Sequence, residues 1–244
     1  MKSNYAFNSF SVVIPVFNEE EIIEESINSI LSICSRTNLD YEIIISENGS
    51  IDNTLSIAEK ICNNYSEVIL ISSKTPNYGQ ALRDGFFKAH NPIIISFDID
   101  YYSETFLKQA LTLEDNYVAL TASKRMMQSN DGRKFIRKIA TNIFVSILKI
   151  LFNTSLSDTH GMKALKKEVV NKYIYDVVST QDIFDTELLL RIERGGFKIK
   201  EIPAIVNEIR PSVSVIYKRI PRTIKSLLKL RLRFYKESLK TKNL

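Results

Sequence analysis

Two acidic residues, Asp98 and Asp100, follow directly after the apolar run PIIISF. The chain turns at the end of a strand, so both carboxylates can face one site. Two neighbouring anions repel each other, and a divalent cation relieves that repulsion. Oxygen ligands suit Mg²⁺ or Mn²⁺, which keep water and substrate phosphates as their other ligands. The pair therefore predicts a metal site that holds a diphosphate, although an isolated Asp-x-Asp is more often a surface turn.

Three further groups of polar residues follow apolar runs in the first half of the chain. Asn18 and Glu19 follow the first run, 47–50 the second, and 77–79 the third. Ligands bind at the carboxyl ends of parallel strands, so we expect these groups to meet at one edge of a sheet. The alternative is that they are merely solvated loops. The sequence contains neither G-x-G-x-x-G nor G-x-x-x-x-G-K-[ST], which excludes those two phosphate-binding fingerprints.

Continuous apolar runs separated by helical patterns predict the fold. Runs rich in isoleucine and valine are typical of strands buried on both faces, as in a parallel sheet with helices on either side. We therefore expect an α/β fold with a Rossmann-like, mostly parallel sheet and right-handed crossovers. The predicted strands are 11–17, 41–46, 68–72, 92–97 and 117–121, and the predicted helices between them are 19–36, 52–64 with Asp52 as N-cap, and a segment ending near His90.

Length and composition narrow the class of protein. The chain has 244 residues, of which 44% are hydrophobic and 25% charged. These values are typical of a globular domain and exclude a disordered or collagen-like chain. The sequence lacks an apolar run of about 18 residues and the pattern of a secretion signal. Cys34 and Cys62 fall in helical patterns and predict no disulfide framework, so we interpret the chain as cytoplasmic.

Positive charge is concentrated at the C-terminus. Residues 218–244 carry ten lysines and arginines against one acid, Glu237, although the whole chain has a net charge of only +5. Segment 221–240, with Pro221 at a first helical position, is amphipathic and is predicted to lie on an anionic membrane surface. The alternative is that it packs its apolar face on the protein, and helix 135–152 leaves the same two interpretations open. We expect a domain of residues 1–212 and a basic amphipathic helical segment of residues 213–244.

Several motifs, taken in order, resemble glycosyltransferase family 2. VVIPVFNEEE, SENGSIDNT, NYGQALRDGF and SFDID occur at the separations found in inverting members with the GT-A fold. SDTHGMKAL, FDTELLLRIERGGFKIKEIPA and EIRPSVS resemble the polyprenyl-phosphate sugar transferases of the dolichyl-phosphate mannosyl- and glucosyltransferase type. The resemblance covers roughly residues 9–215. It implies a nucleotide-diphosphate sugar donor, a polyprenyl-phosphate acceptor and a divalent metal, Mg²⁺ or Mn²⁺.

The resemblance also implies roles for individual residues. Asp98 and Asp100 would hold the metal, and Asp158 of the DTHGMK motif would lie near the reacting centre. That motif is one residue shorter here than in the family, and Tyr102 stands where relatives often carry glutamine. The donor nucleotide would bind to Pro15, Phe17, Asn18, Glu19, Glu47, Asn48, Gly49, Ser50, Asn77, Gly79 and Asp98.

The chemistry of the acceptor separates two kinds of transferase. A sugar hydroxyl needs a general base, whereas a phosphate monoester is largely a dianion near neutral pH and attacks the anomeric carbon directly. A phosphate instead needs cations, and the planar fork of arginine suits it. The resemblance places acceptor-phosphate arginines at Arg125, Arg133, Arg137 and Arg210, and the implied catalytic set is Asp100, Asp158, Arg125 and Arg137. Asp185 and Glu187 remain open as a base or as helix-capping acids.

We expect transfer to a polyprenyl phosphate by a peripheral protein on the cytosolic membrane face. The alternative within the family is a sugar hydroxyl acceptor in glycan synthesis, and a membrane partner or a homodimer is also left open. A third hypothesis, a non-enzymatic module that binds nucleic acid, is supported only by the basic tail. That tail lacks an RNA-binding aromatic signature, so we expect no nucleic-acid partner.

Overall fold

The protein is built around a central sheet of seven strands. The computed structural model describes residues 5–126, 129–131, 135–206 and 216–242. The strands of the sheet are β1 (Ser9–Val16), β2 (Asp40–Asn48), β3 (Val68–Ser73), β4 (Ile93–Ser96), β5 (Ala119–Ser123), β7 (Lys163–Lys166) and β8 (Ile199–Pro203). Their order across the sheet is β3-β2-β1-β4-β7-β5-β8. Two short strands, β6 (Asn130–Asp131) and β9 (Ile205–Val206), form a separate parallel pair.

The sheet is mostly parallel, as the sequence predicts. β1 pairs in parallel with β2 and β4, β2 with β3, and β5 with β8. β7 runs antiparallel between β4 and β5, and the sequence analysis did not predict it. Its sequence KALK contains two lysines and no β-branched residue, so it carries no strand signal.

Helices cover both faces of the sheet. They are α1 (Ile23–Ser35), α2 (Thr54–Asn64), α3 (Tyr78–Lys88), α4 (Glu104–Leu111), α5 (Phe135–Phe152), α6 (Lys167–Tyr173), α7 (Phe184–Arg194) and α8 (Ile216–Lys242), with a 3-10 turn at Gln181–Ile183. Successive strand residues point to opposite faces, so Val12 and Ile14 belong to one core and Val13 to the other. The expected α/β fold is therefore confirmed.

Two helices begin later than the sequence predicts because the loops before them are joined by hydrogen bonds. α1 begins at Ile23 rather than Glu19, since the Glu19 N–H donates to the Thr54 hydroxyl (2.7 Å) and the Glu20 N–H to Asp52 (3.2 Å). α2 begins at Thr54, and Asn53 rather than Asp52 holds the N-cap position. The Asp52 carboxylate still accepts from the Thr54 N–H at 3.0 Å.

Helix α8 lies against the domain through a third apolar cluster. Leu227, Leu230 and Phe234 are buried there together with residues of α5 and α7. Pro221 is inside the helix, so its predicted place at the first helical position is wrong. Within the described residues, no helix is both long and apolar enough to cross a membrane. The boundary predicted near residue 212 lies outside the described residues and stays a prediction.

Candidate functional site

The carboxyl ends of β1 to β4 form one edge of the sheet, which we call the carboxyl edge. Val16 of β1 pairs with Glu47 of β2, and Glu47 pairs with Ser72 of β3, so these strands end level with one another. The loops that follow them carry most of the residues that the sequence marks as donor-binding. Parallel pairing thus brings together groups that are far apart in the chain.

The loops after β1 and β2 are joined by hydrogen bonds. The Asn18 N–H donates to the Ser50 hydroxyl (3.0 Å), and the Asn18 side-chain oxygen accepts from the Ile51 N–H (2.9 Å). Asn18 has a φ of 54°, a left-handed conformation that asparagine tolerates better than most residues. Beside this junction Pro15 is buried and Phe17 is 39% exposed, which leaves an aromatic ring available to a ligand.

Glu47 is buried at the end of β2 and organises the loop behind it. Its two carboxylate oxygens accept from the Ser50 N–H (2.5 Å) and the Ser72 hydroxyl (2.6 Å). Burial alone would raise the pKa of Glu47, but these hydrogen bonds and one from Gly49 lower it below the ordinary value. Glu47 is therefore an ionised support for the loop. The base contact that the resemblance implies stays a prediction.

Asn48 and Asn77 connect the carboxyl edge to the start of α7. The Asn48 side-chain oxygen accepts from the Asn77 N–H at 2.6 Å. The Asn77 side chain caps α3 by accepting from Gln80 (3.1 Å) and also accepts from the Gln181 N–H (3.0 Å). A Cβ on Gly79 would lie 2.7 Å from the Gln181 nitrogen, so only glycine permits this close approach. These residues hold the edge together, and their predicted donor contact is untested.

Asp98 and Asp100 lie on a tight turn at the end of β4. The Tyr101 N–H donates to the Asp98 carbonyl (3.0 Å), which folds the chain back. The Asp98 carboxylate is half-buried and accepts from the Tyr78 hydroxyl (3.2 Å), whereas Asp100 is exposed. Burial raises the pKa of Asp98, and the nearby Asp100 carboxylate adds to that rise. The two acids therefore repel each other at this turn, which is the condition that a divalent cation relieves.

Asp158 is buried in the loop before β7, and β7 begins beside the end of β4. Its carboxylate accepts from the His160 N–H (3.0 Å) and the Lys124 N–H (3.2 Å). Burial alone would raise the pKa of Asp158, but the Lys124 ammonium and these backbone donors lower it. Gly161 follows where a Cβ would lie 2.1 Å from the Ala122 carbonyl oxygen, so no side chain fits. Because its pKa is lowered and both of its oxygens accept hydrogen bonds, Asp158 is a weak base.

Lys124 is the site residue that the sequence analysis missed. Its ammonium lowers the pKa of both Asp98 and Asp158 and lies 5.7 Å from the centre of the Tyr101 ring. Lys124 is therefore a cation that acts on both Asp98 and Asp158. The only signal for Lys124 in the sequence is its position directly after β5, next to the predicted acceptor arginine Arg125.

The four predicted acceptor arginines differ in how much of them the structure describes. Arg125 is exposed in the turn after β5, and its N–H donates to the Ser123 hydroxyl at 3.2 Å. Arg133 and Arg210 lie outside the described residues. Arg137 is part of α5, but its side chain is not among those that the structure describes. Their contact with an acceptor phosphate stays a prediction.

Both acids at the start of α7 are buried in internal contacts. Glu187 is fully buried and accepts from the Ser179 N–H (2.7 Å) and from the Arg191 guanidinium (2.9 Å). Asp185 pairs with the Lys163 ammonium at 2.9 Å. These contacts favour supporting roles over that of a base. In the described part of the chain, no three His, Cys, Asp or Glu side chains are grouped to hold a metal.

Comparison with known proteins identifies the family. The sequence model "Glycosyl transferase family 2" matches residues 11–174. The chain belongs to glycosyltransferase family 2. This match includes the carboxyl ends of β1 to β4, both acids of the Asp98 turn, and Asp158.

Two relatives in this family transfer sugars to lipid phosphates according to their names. The undecaprenyl-phosphate 4-deoxy-4-formamido-L-arabinose transferase of Proteus mirabilis is 27% identical over 169 residues, or 67% of this chain and 51% of the relative. The dolichyl-phosphate hexose transferase of Haloferax volcanii is 24% identical over 204 residues, or 82% of this chain and 84% of the relative. The chain thus spans about half of the first relative and most of the second.

Solved structures of the same fold include glucosyl-3-phosphoglycerate synthase from Mycobacterium tuberculosis. Its complex with Mn²⁺, UDP and glucosyl-3-phosphoglycerate has a TM-score of 0.68 and 20% identity, covering 92% of this chain and 80% of that one. Its complex with Mg²⁺ and UDP has a TM-score of 0.67 and 19% identity, with coverages of 92% and 79%. At this identity the likeness establishes the GT-A fold for the family 2 chain described here.

Proposed function

We propose that the protein is an inverting, metal-dependent glycosyltransferase that moves a sugar from a nucleotide-diphosphate donor to a polyprenyl phosphate. The observation that carries the proposal is that three features lie at the same edge of the sheet. These are the joined loops of β1 and β2, the Asp98 turn, and Asp158 with Lys124. They supply a nucleotide-binding edge, a metal site and a cation for a second phosphate.

The donor set at the Asp98 turn fits Mg²⁺ or Mn²⁺. Asp98 and Asp100 present carboxylate oxygens, and their mutual repulsion favours a cation between them and a diphosphate. When bound, the metal would neutralise charge on the leaving diphosphate. The Mycobacterium tuberculosis neighbour, crystallised with Mn²⁺ or Mg²⁺ and UDP, supports this assignment.

The state of the buried acids supports a phosphate acceptor. Asp158 and Glu187 are buried and accept hydrogen bonds, and Asp185 is buried in an ion pair with Lys163, so their surroundings support structural roles over that of a base for a sugar hydroxyl. A phosphate monoester needs no such base. Its oxygen attacks the anomeric carbon, the bond from that carbon to the diphosphate oxygen breaks, and the configuration inverts. Lys124, and Arg125 beside it, would hold the incoming phosphate against the negative charge of the donor.

We also propose that the protein works on the cytosolic membrane face and docks there through α8. Five apolar side chains remain exposed on one side of that helix, and we call them the apolar strip: Ile224, Leu228, Leu232, Tyr235 and Leu239. At 100° per residue they lie next to the sector of Lys225, Lys229 and Lys236. Apolar insertion beside basic groups fits a bilayer that contains anionic lipid.

The test is a transfer assay with a panel of labelled nucleotide sugars and Mn²⁺ or Mg²⁺. Polyprenyl phosphate, the same lipid without phosphate, and glycan acceptors are offered separately. We expect product only with the phosphorylated lipid. We expect Asp100→Asn to lose at least a hundredfold in rate, on the order of a removed electrostatic contact in a transition state. Transfer to glycans alone would reject the lipid acceptor and leave the sugar-hydroxyl alternative.

A further inference from the structure

The turn before α7 contains a strained residue. Gln181, the first residue of the 3-10 turn Gln181–Ile183, has a φ of 57°, in the left-handed region. The other non-glycine residues with a positive φ in the described part of the chain are Asn18, Asn38 and Asn153. Asparagine tolerates this conformation better than most residues, whereas it strains a longer side chain such as glutamine.

Backbone contacts hold the strained turn in place from two sides. The Gln181 N–H donates to the Asn77 side-chain oxygen at 3.0 Å. Two residues earlier, the Ser179 N–H donates to the buried Glu187 carboxylate at 2.7 Å. A Cβ on Gly79 would lie 2.7 Å from the Gln181 nitrogen and 2.9 Å from its carbonyl oxygen, so the two segments touch through their backbones. None of these contacts uses the Gln181 side chain.

The Gln181 side chain returns nothing to the folded protein for this strain. It is exposed, and its amide makes no hydrogen bond to any residue that the structure describes. A glycine would adopt the same backbone conformation without strain. Strained residues that the surrounding structure holds in place concentrate at ligand sites. The strain therefore points to a ligand contact rather than to a contribution to stability.

The position of the turn indicates which ligand that is. Asn77, which accepts from the Gln181 N–H, is followed by Tyr78, whose hydroxyl donates to Asp98 at 3.2 Å. The Asn77 N–H donates to the Asn48 side chain at the end of β2 (2.6 Å). The turn thus lies against the segment that joins the two parts of the carboxyl edge assigned to the donor. A carboxamide both donates and accepts hydrogen bonds, as a sugar or ribose hydroxyl requires.

We propose that Gln181 is a donor-binding residue, whose side-chain amide makes a hydrogen bond to a hydroxyl of the bound nucleotide sugar. The inference rests on the proposed function, because it adds one polar contact to the same donor site. The backbone contacts place the amide before the donor arrives, so losing the amide weakens donor binding and leaves the fold intact. Loss of one neutral hydrogen bond corresponds to about 2- to 12-fold in affinity.

The experiment separates the amide from the strain. Gln181→Met keeps the length and the strain of the side chain but removes its hydrogen-bonding groups. Gln181→Gly removes both the amide and the strain. Asn38→Gly is the matched control, because Asn38 also has a positive φ (55°) but precedes β2, at the opposite edge of the sheet. UDP-glucose, UDP-N-acetylglucosamine and GDP-mannose are each titrated with Mn²⁺ by calorimetry, and urea unfolding is measured for every variant.

We expect Gln181→Met and Gln181→Gly to bind the donor that the wild type prefers about 2- to 12-fold more weakly. The urea midpoint should stay unchanged in Gln181→Met and be equal or higher in Gln181→Gly. Asn38→Gly should bind the donor like the wild type. Wild-type donor affinity in Gln181→Met would overturn the proposal, and so would a lower urea midpoint in Gln181→Gly. If these variants lose donor affinity but the wild type transfers no sugar to polyprenyl phosphate, the Gln181 assignment stands and the proposed function is contradicted.

Discussion

The apolar strip of α8 gives the sharpest test of membrane docking. Leu228 and Leu232 are 49% and 61% exposed, although both belong to a helix whose opposite side is packed on the domain. Replacing both with serine removes exposed apolar surface and leaves Leu227, Leu230 and Phe234 in the core. The fold should therefore survive the change, and only binding to a bilayer should suffer.

The magnitude follows from the exposed fractions. Full burial of a leucine side chain is worth about 1.5–3 kcal/mol. About half of each side chain is still in water, so insertion of each contributes about 1 kcal/mol, or ~2 kcal/mol for the two. We expect Leu228→Ser/Leu232→Ser to bind vesicles about 30-fold more weakly.

The assay is cosedimentation with vesicles of phosphatidylcholine, with and without phosphatidylserine. Lys225→Gln/Lys229→Gln should lose affinity only for the anionic vesicles, by up to ~1 kcal/mol per lysine and less at high salt. Tyr175→Ser serves as the matched control because Tyr175 is 75% exposed and lies outside α5 and α8. Unchanged binding by the double-serine variant, or no binding by the wild type, would refute docking through the apolar strip.

Three further outcomes can be checked by unfolding. Gly161→Ala places a Cβ 2.1 Å from the Ala122 carbonyl oxygen and should cost about 1–3 kcal/mol in urea unfolding. Gly196→Ala, with open space but a φ of 81°, should cost only about 1 kcal/mol, and equal losses would contradict the steric argument. Because the folded pKa of Glu47 is lowered, its stabilising contribution is present above the unfolded pKa of about 4.3 and is lost as the pH falls through the folded pKa. The difference in melting temperature between wild type and Glu47→Gln should therefore shrink from pH 7 to pH 3, and a constant difference would show that ionisation is irrelevant. Arg191→Met should cost about 3 kcal/mol because the fully buried Glu187 carboxylate loses its nearest cation and keeps only the more distant Arg233, at 3.6 Å, and adding Glu187→Gln should recover at least half, as chemical denaturation would show.

The fold was readable from the sequence because strands that are buried on both faces leave continuous apolar runs. Three apolar runs each predict a strand of the parallel sheet: SVVIPVF, YEIIIS and PIIISF. The polar residues that follow these runs mark the ligand-binding edge of the sheet. The order of these motifs was also enough to indicate the family that residues 11–174 confirm. Local pattern alone therefore determined β1 to β5, the carboxyl edge and the Asp98 turn.

Other features of the protein depend on tertiary structure and leave no signal in the local sequence pattern. β7 became a strand because β4 and β5 offer it hydrogen bonds on both sides, and its KALK sequence alone would not favour one. The Lys163 and Asp185 charges are 22 residues apart, and only the sheet and α7 bring them together. Lys124 acts on Asp98 and Asp158, whereas its neighbour Arg125 is exposed, and nothing in the local sequence distinguishes the two. Periodicity reports which residues avoid water, whereas the meeting of distant charges depends on how the elements pack.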